Sequence, residues 1–248
     1  MSGGNSELMR NTHISAASST ACVIVLTPEV TWKHLQSYCF NSCFVKNRTK
    51  FDLCIAFNGN PSAEALAILS EQTPEHLIIR PNAGMDPAAL DICIKNLPSY
   101  EYVIVLHDDH WFSDDVWFEQ LYTLMQMDAS AAAYGNLVTS CPYNSSEFEA
   151  FFDIVSATIG YENYRNSGFP CYLQGMAGIY RKSTIELLLN LDGIPHTHGN
   201  HKKTVEVCER MLSYLLLRHG AILKQIPPGY ELYLKHRRHN NPKPDAET

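Results

Sequence analysis

His107-Asp108-Asp109-His110 follows directly on an apolar run, Tyr102–Leu106. Adjacent carboxylates repel unless something positive sits between them. A hard divalent cation carrying phosphate oxygens supplies that charge. Mg2+ takes one or two carboxylates plus phosphates, and Mn2+ accepts an added imidazole. An ordinary polar strand end, with one Asp capping the next turn, presents the same pair. A second set lies far along the chain. Glu206 and Glu209 are three residues apart and share a face if the segment is helical. A carboxylate so placed can take a proton from an attacking hydroxyl; it can equally belong to a solvated helix face. Histidines gather twice more, as His196, His198 and His201 in a polar stretch and as His236 and His239 beside Lys235, Arg237 and Arg238.

The elements around these residues alternate. Cys22–Leu26, Leu53–Phe57, Leu77–Ile79 and Tyr102–Leu106 are short apolar runs that predict strands buried on both faces. Helices are predicted between them: one carrying Trp32, Leu35 and Tyr38 or Cys39, one over Ser62–Ser70 after the Asn58-Gly59-Asn60-Pro61 turn, and one with Asp86 as cap, Pro87 first, and Leu90, Ile94 and Leu97 as its stripe. Another runs from Asp114 or Asp115 to about Met127. The second half is less regular. Ala131–Val138 and Ala221–Ile226 suggest strands, and Glu147–Ile159 an aromatic-rich helix. Ser183 with Glu186 has the capping-box pattern, and a helix from Thr204 stops near Gly220. Strands alternating with helices imply a largely parallel sheet, whose ligands bind beyond the carboxyl ends of the strands. Thr27–Glu29, Asn58–Asn60 and His107–His110 are those ends.

The balance of 45% hydrophobic and 18% charged residues in 248 suits a globular α/β domain, and about 200–250 residues often form one. A formal net charge of −7 argues against broad nucleic-acid binding, which needs a basic surface. No run approaches the ~20 apolar residues of a membrane span, and no apolar leader stands at the N-terminus, so a cytoplasmic protein is expected, with peripheral membrane contact open through the basic Lys235–Arg238. The 8 cysteines include no Cys-x-x-Cys, which speaks against a cysteine zinc site, and several lie in apolar runs as small hydrophobes. The expected organisation is a loose N-terminus over 1–20, one domain over 21–238, and a tail over 239–248.

Taken in order, these segments resemble glycosyltransferases of the GT-A fold, a Rossmann-like single domain, and among them the large inverting, family-2-like group. Val103–Asp109 resembles that family's strand and Asp-x-Asp motif, with His107 at the first Asp and Asp109 at the second, the usual metal ligand. Arg80-Pro81-Asn82-Ala83-Gly84 resembles the Asn-x-Gly segment bordering the donor. Thr27-Pro28-Glu29 and Phe57-Asn58-Gly59-Asn60 look like the loops that meet the nucleotide. Gln174–Gly178 resembles the glycine-containing acceptor-side loop. Val207-Cys208-Glu209-Arg210 lies where the family keeps its catalytic carboxylate, and His236 where a C-terminal histidine completes the metal site.

The resemblance implies an inverting hexosyltransferase serving polysaccharide or glycoconjugate synthesis. A nucleotide-sugar donor, most commonly a UDP-sugar in that family, would react with a hydroxyl of a glycan, lipid-linked or small-molecule acceptor. Mn2+ or Mg2+ would sit on Asp109 and His236, with His107 a substitute ligand or Asp108 taking part of that role. Glu209 is the implied base and Glu206 the alternative. Thr27, Pro28, Glu29, Asn58, Asn82, Gly84 and Asp108 border the donor; Gly175, Met176 and Gly178 face the acceptor, whose pocket the family builds from variable segments, here about Ser140–Pro170. Gly193–Lys203 is a candidate lid, and Trp111, Phe112, Phe148, Phe151, Phe152, Tyr161 and Tyr164 are stacking surfaces or core. Rival readings are a metal-dependent hydrolase built on the His/Asp cluster, a sugar-1-phosphate nucleotidyltransferase, and an inactive relative that binds a glycan or a partner.

Overall fold

The computed structural model describes residues 11–138, 171–191, 193–199, 202–228 and 235–236. The predicted Glu147–Ile159 helix, the 140–170 acceptor region, Phe148, Phe151, Phe152, Tyr161, Tyr164, His201, His239 and the 239–248 tail lie outside them.

The chain lays down β1 (Asn11–Ile14), β2 (Ala21–Pro28), α1 (Ser42–Asn47), β3 (Asp52–Asn58), α2 (Ala63–Glu71), β4 (His76–Arg80), α3 (Met85–Asn96) and β5 (Tyr102–His107). Then come β6 (His110–Trp111), α4 (Trp117–Met127), β7 (Ala133–Val138), β8 (Tyr172–Arg181), α5 (Lys182–Asn190), α6 (Lys202–Arg218), β9 (Leu223–Gln225) and β10 (Lys235–His236). Among the described residues the main sheet is ordered β1-β4-β3-β2-β5-β8-β7-β9, and β10 pairs with β6. The strands β4, β3, β2 and β5 are mutually parallel, and β8 runs antiparallel to both β5 and β7. The chain leaves β2 to one side, through β3 to β4, and returns across α3 to β2's other side as β5, so a crevice opens at the carboxyl ends of β2 and β5.

The apolar runs are buried on both faces because both are covered. Val23, Val25, Ile55, Ile104 and Leu106 pack with Phe44, Trp117, Phe118 and Leu121 of α1 and α4. Cys22, Ile24, Cys54, Val103 and Val105 pack with Ala89, Leu90 and Cys93 of α3 and with Leu212 and Leu216 of α6. Trp111 and Phe112 are core, and Phe112 stacks on Trp117 at 3.7 Å between ring centroids. Among the described residues no helix is long and apolar enough to cross a membrane.

Several local expectations change. Asn11–Ile14, expected to be loose, pairs antiparallel with β4, and the segment behind it is tied down: Ser15 N–H donates to His76 Nδ1 at 3.2 Å and Ser18 donates twice to Asp52. Asp86 is not the cap of α3. Gly84, at φ +77°, takes that place and Asp86 lies inside the first turn. Ser183 does not cap α5, which begins at Lys182 with Arg181 in the cap position and no side-chain bond there. Ser62 does cap α2, accepting from Ala65 N–H at 3.1 Å. The predicted Gln174–Gly178 loop is part of β8.

Candidate active site

A strand exposes successive side chains on opposite faces, and the end of β5 uses this to divide its polar residues. Asp108 turns to the face of α1, where Thr27 Oγ1 donates to its Oδ2 at 3.2 Å and His34 Nδ1 lies 3.9 Å from its Oδ1. Burial raises its pKa, opposed by the nearby His34 and Thr31 side chains. Asp108 therefore braces the segment leaving β2, with Thr27 and Pro28 buried and Glu29 exposed at its tip. Glu29 N–H donates to the Asn58 carbonyl at 2.8 Å, and Glu29 Oε2 accepts from Asn60 N–H at 3.2 Å. The first and second strand-end loops are thus joined.

His107 turns to the other face, toward α3 and α6. Its Nδ1 lies 3.2 Å from Asp86 Oδ2, and its Nε2 is 2.5 Å from the Gly175 carbonyl. Asp86 Oδ1 accepts from Asn58 Nδ2 at 3.1 Å, and Asn58 Oδ1 accepts from the buried Arg80 at 2.5 Å. The Arg80 guanidinium also holds the Ala83 carbonyl of the Asn82–Gly84 bend. One hydrogen-bonded chain therefore runs from β4 through β3, α3 and β5 to β8. Glu209 reaches the same spot from α6, so that ligand atoms of Asp86, His107 and Glu209 lie within 4.8 Å of one another.

Charge in this cluster is shared. Burial alone lowers the His107 pKa, but the Asp86 hydrogen bond and the charges of Asp86, Glu209 and Asp109 outweigh it and push it up to about 10. Burial raises Glu209 to about 7, with His107 opposing and Asp86 and Glu206 assisting. A half-buried carboxyl poised near neutrality, at the carboxyl end of the sheet, has the protonation behaviour of a general base. Glu206 is half-buried one turn earlier on α6.

Asp109 sits at the tip of a tight turn. The turn closes when His107 N–H donates to His110 Nδ1 at 3.0 Å, and His110 Nδ1 stands 3.7 Å from Asp109 Oδ1. Asp109 is the more accessible of the two aspartates, 15% exposed against 6% for Asp108. The β10 ribbon places the His236 backbone opposite His110, one residue from Asp109. An accessible carboxylate at a strand end suits Mn2+ or Mg2+ sharing a diphosphate. His196 and His198 do not join either cluster: His196 Nδ1 bonds the Ile194 carbonyl within its own loop. That loop is docked on α3, since Ile194 N–H donates to Asp91 at 2.8 Å and Gly84 lies against the Thr197 carbonyl.

Asp86 and Arg80 are the site residues that sequence reasoning missed as such. Asp86 looked like a helix cap. The usable signal was its position two residues past a glycine that opens a helix at a strand end, where a carboxylate in the first turn points back at the crevice.

No protein-family model matches the chain, and no curated protein matches it in sequence. Among solved structures the fold is similar to that of S. aureus TarS. TarS 1–349 matches with a TM-score of 0.54 at 13% identity, covering 87% of this chain and 59% of that one. TarS 1–349 in complex with UDP-GlcNAc matches with 0.50 at 14%, covering 85% and 59%. TarS itself matches with 0.52 at 12%, covering 87% and 36%. The chain therefore spans less than two thirds of the length of these structures. The likeness is one of fold alone, a single α/β domain with a mostly parallel central sheet.

Proposed function

We propose that the protein is an inverting glycosyltransferase that moves a sugar from a nucleotide-sugar, a UDP-sugar by first choice, to an acceptor hydroxyl. The observation that carries this reading is Glu209, raised to about 7 beside His107 and Asp86, at the crevice where a sheet of this order receives its ligand. The similarity in fold to TarS, which has been crystallised with UDP-GlcNAc, supports the donor class. Thr27, Pro28, Glu29, Asn58, Asn82 and Gly84 border the donor, and Asp108 fixes the first of these loops. Gly175 flanks the acceptor side; Met176 and Gly178, expected there with it, are buried. Glu209 takes the proton of the acceptor hydroxyl as its oxygen bonds the anomeric carbon. The bond from that carbon to the diphosphate oxygen breaks, and the nucleoside diphosphate leaves from the opposite face. Asp109 and His236 would hold Mn2+ or Mg2+, which when bound stabilises the charge developing on the leaving diphosphate.

The test is consumption of UDP-GlcNAc and related UDP-sugars, followed by release of UDP across a set of hydroxyl acceptors. Acceptor-dependent release by the wild type, cut ~100-fold or more in Glu209→Gln, supports the reading. Release that is independent of acceptor, or undiminished in Glu209→Gln, contradicts it.

A further inference from the structure

We propose that His107 is a positioning residue that ties the acceptor-side bulge of β8 to the start of α3, and is not a ligand of the metal. The inference rests on the transferase reading only for the name of the face it supports. Strand β8 loses register beside His107. Two steps along β7, from Gly135 to Leu137, match five along β8, from Gly178 to Leu173. Pairing between β5 and β8 also stops at Val105 and Gly178. Between these registers β8 holds two successive left-handed residues, Gly175 and Met176, both at φ +58°. Met176 is fully buried, and a left-handed non-glycine residue persists only where its surroundings over-determine it.

Two side chains do so here. Tyr180 hydroxyl donates to the Met176 carbonyl at 2.5 Å, and His107 Nε2 donates to the Gly175 carbonyl. A carbonyl can only accept. On its other side His107 Nδ1 faces the Asp86 carboxylate at 3.2 Å. Both ring nitrogens are thereby occupied inside the fold, which leaves neither for an ion. This accounts for the histidine at the place where the resembling family keeps an aspartate. An Asp at 107 has no proton for the Gly175 carbonyl, and it would set a third carboxylate beside Asp86 and Glu209.

Two measurements decide it. In the first, 15N NMR of the wild type at neutral pH reads the His107 ring, alone and with Mg2+ plus UDP. The inference requires Nε2 to keep its proton, and Nδ1 to show no metal-coordination shift, in both conditions. An unprotonated Nε2, or a coordination shift at Nδ1 on adding Mg2+ and UDP, overturns it. In the second, His107→Gln is compared with Asp109→Asn. The His107 change should speed amide exchange around Gly175 and Met176 by about tenfold, as loss of a charge-assisted hydrogen bond does, while Mg2+-dependent UDP affinity stays within about twofold. Unchanged exchange, or UDP affinity lost as in Asp109→Asn, overturns the inference. A wild type that binds no UDP contradicts the transferase reading alone, because the ring protons and the exchange rates still decide the role of His107.

Discussion

At the scale of single residues, Glu209 and His107 bend the pH response of activity and of stability differently. As a base, Glu209 must be ionised, so with its pKa near 7 transfer should rise with pH through about 7 and level off above. A rate flat between pH 5 and 8 would remove Glu209 from that role. His107 acts on the fold. Its pKa is about 10 in the folded chain against an ordinary 6.5, so the folded state holds the proton more tightly. That contribution is fully present below 6.5 and is lost as pH rises through about 10. Melting temperature should therefore fall across this window, and fall less in His107→Gln. Equal slopes in the two proteins would mean that the Asp86–His107 pair does not contribute. The residue types in these clusters were legible in the sequence; their partners were not. Nothing in the spacing of His107 and Asp108 says that one turns to α3 and the other to His34 until β5 has a register.

At the scale of elements, the site depends on close approaches that only glycine permits. A Cβ on Gly84, which stands at φ +77°, would lie 2.3 Å from the Thr197 carbonyl, so the 193–199 loop could not seat on the start of α3. Gly84→Ala should cost about 1–3 kcal/mol of stability, the usual scale for backbone strain of this kind, and should weaken nucleotide binding. Denaturant unfolding within 0.5 kcal/mol of wild type would contradict the packing described. The buried strands were legible because fully apolar β-branched runs have few other uses. The 193–199 segment was legible as a loop, but its docking on Asp91 was not, because that contact joins residues about a hundred positions apart. The three-residue excess in β8 was hidden for a related reason. Its glycines read equally as a turn or as a strand irregularity.

At the scale of the whole molecule, the order β4-β3-β2-β5 makes one crevice, and the opposite end of the sheet is closed by a buried polar network. Tyr100 hydroxyl bridges His76 Nε2 and Asp52 Oδ2, while Ser15 and Ser18 of the N-terminal segment donate into the same group. Tyr100→Phe leaves His76 and Asp52 each short of a partner and should cost about 1–3 kcal/mol, with faster amide exchange in β1. A variant as stable as wild type would show the network to be dispensable. The composition of residues 1–20 gave no hint of this, because serines that serve a buried Asp look like serines in a loose tail. The parallel core was legible from the alternation of strand and helix; the antiparallel β8 between β5 and β7 was not.

The central claim, that the crevice at β2 and β5 binds a nucleotide-sugar through a metal on Asp109, is tested most directly by calorimetric titration of UDP, with and without Mn2+, into wild type and Asp109→Ala. The account predicts binding that requires Mn2+ and is lost in Asp109→Ala. UDP binding equally well without metal, or undiminished in Asp109→Ala, would contradict it.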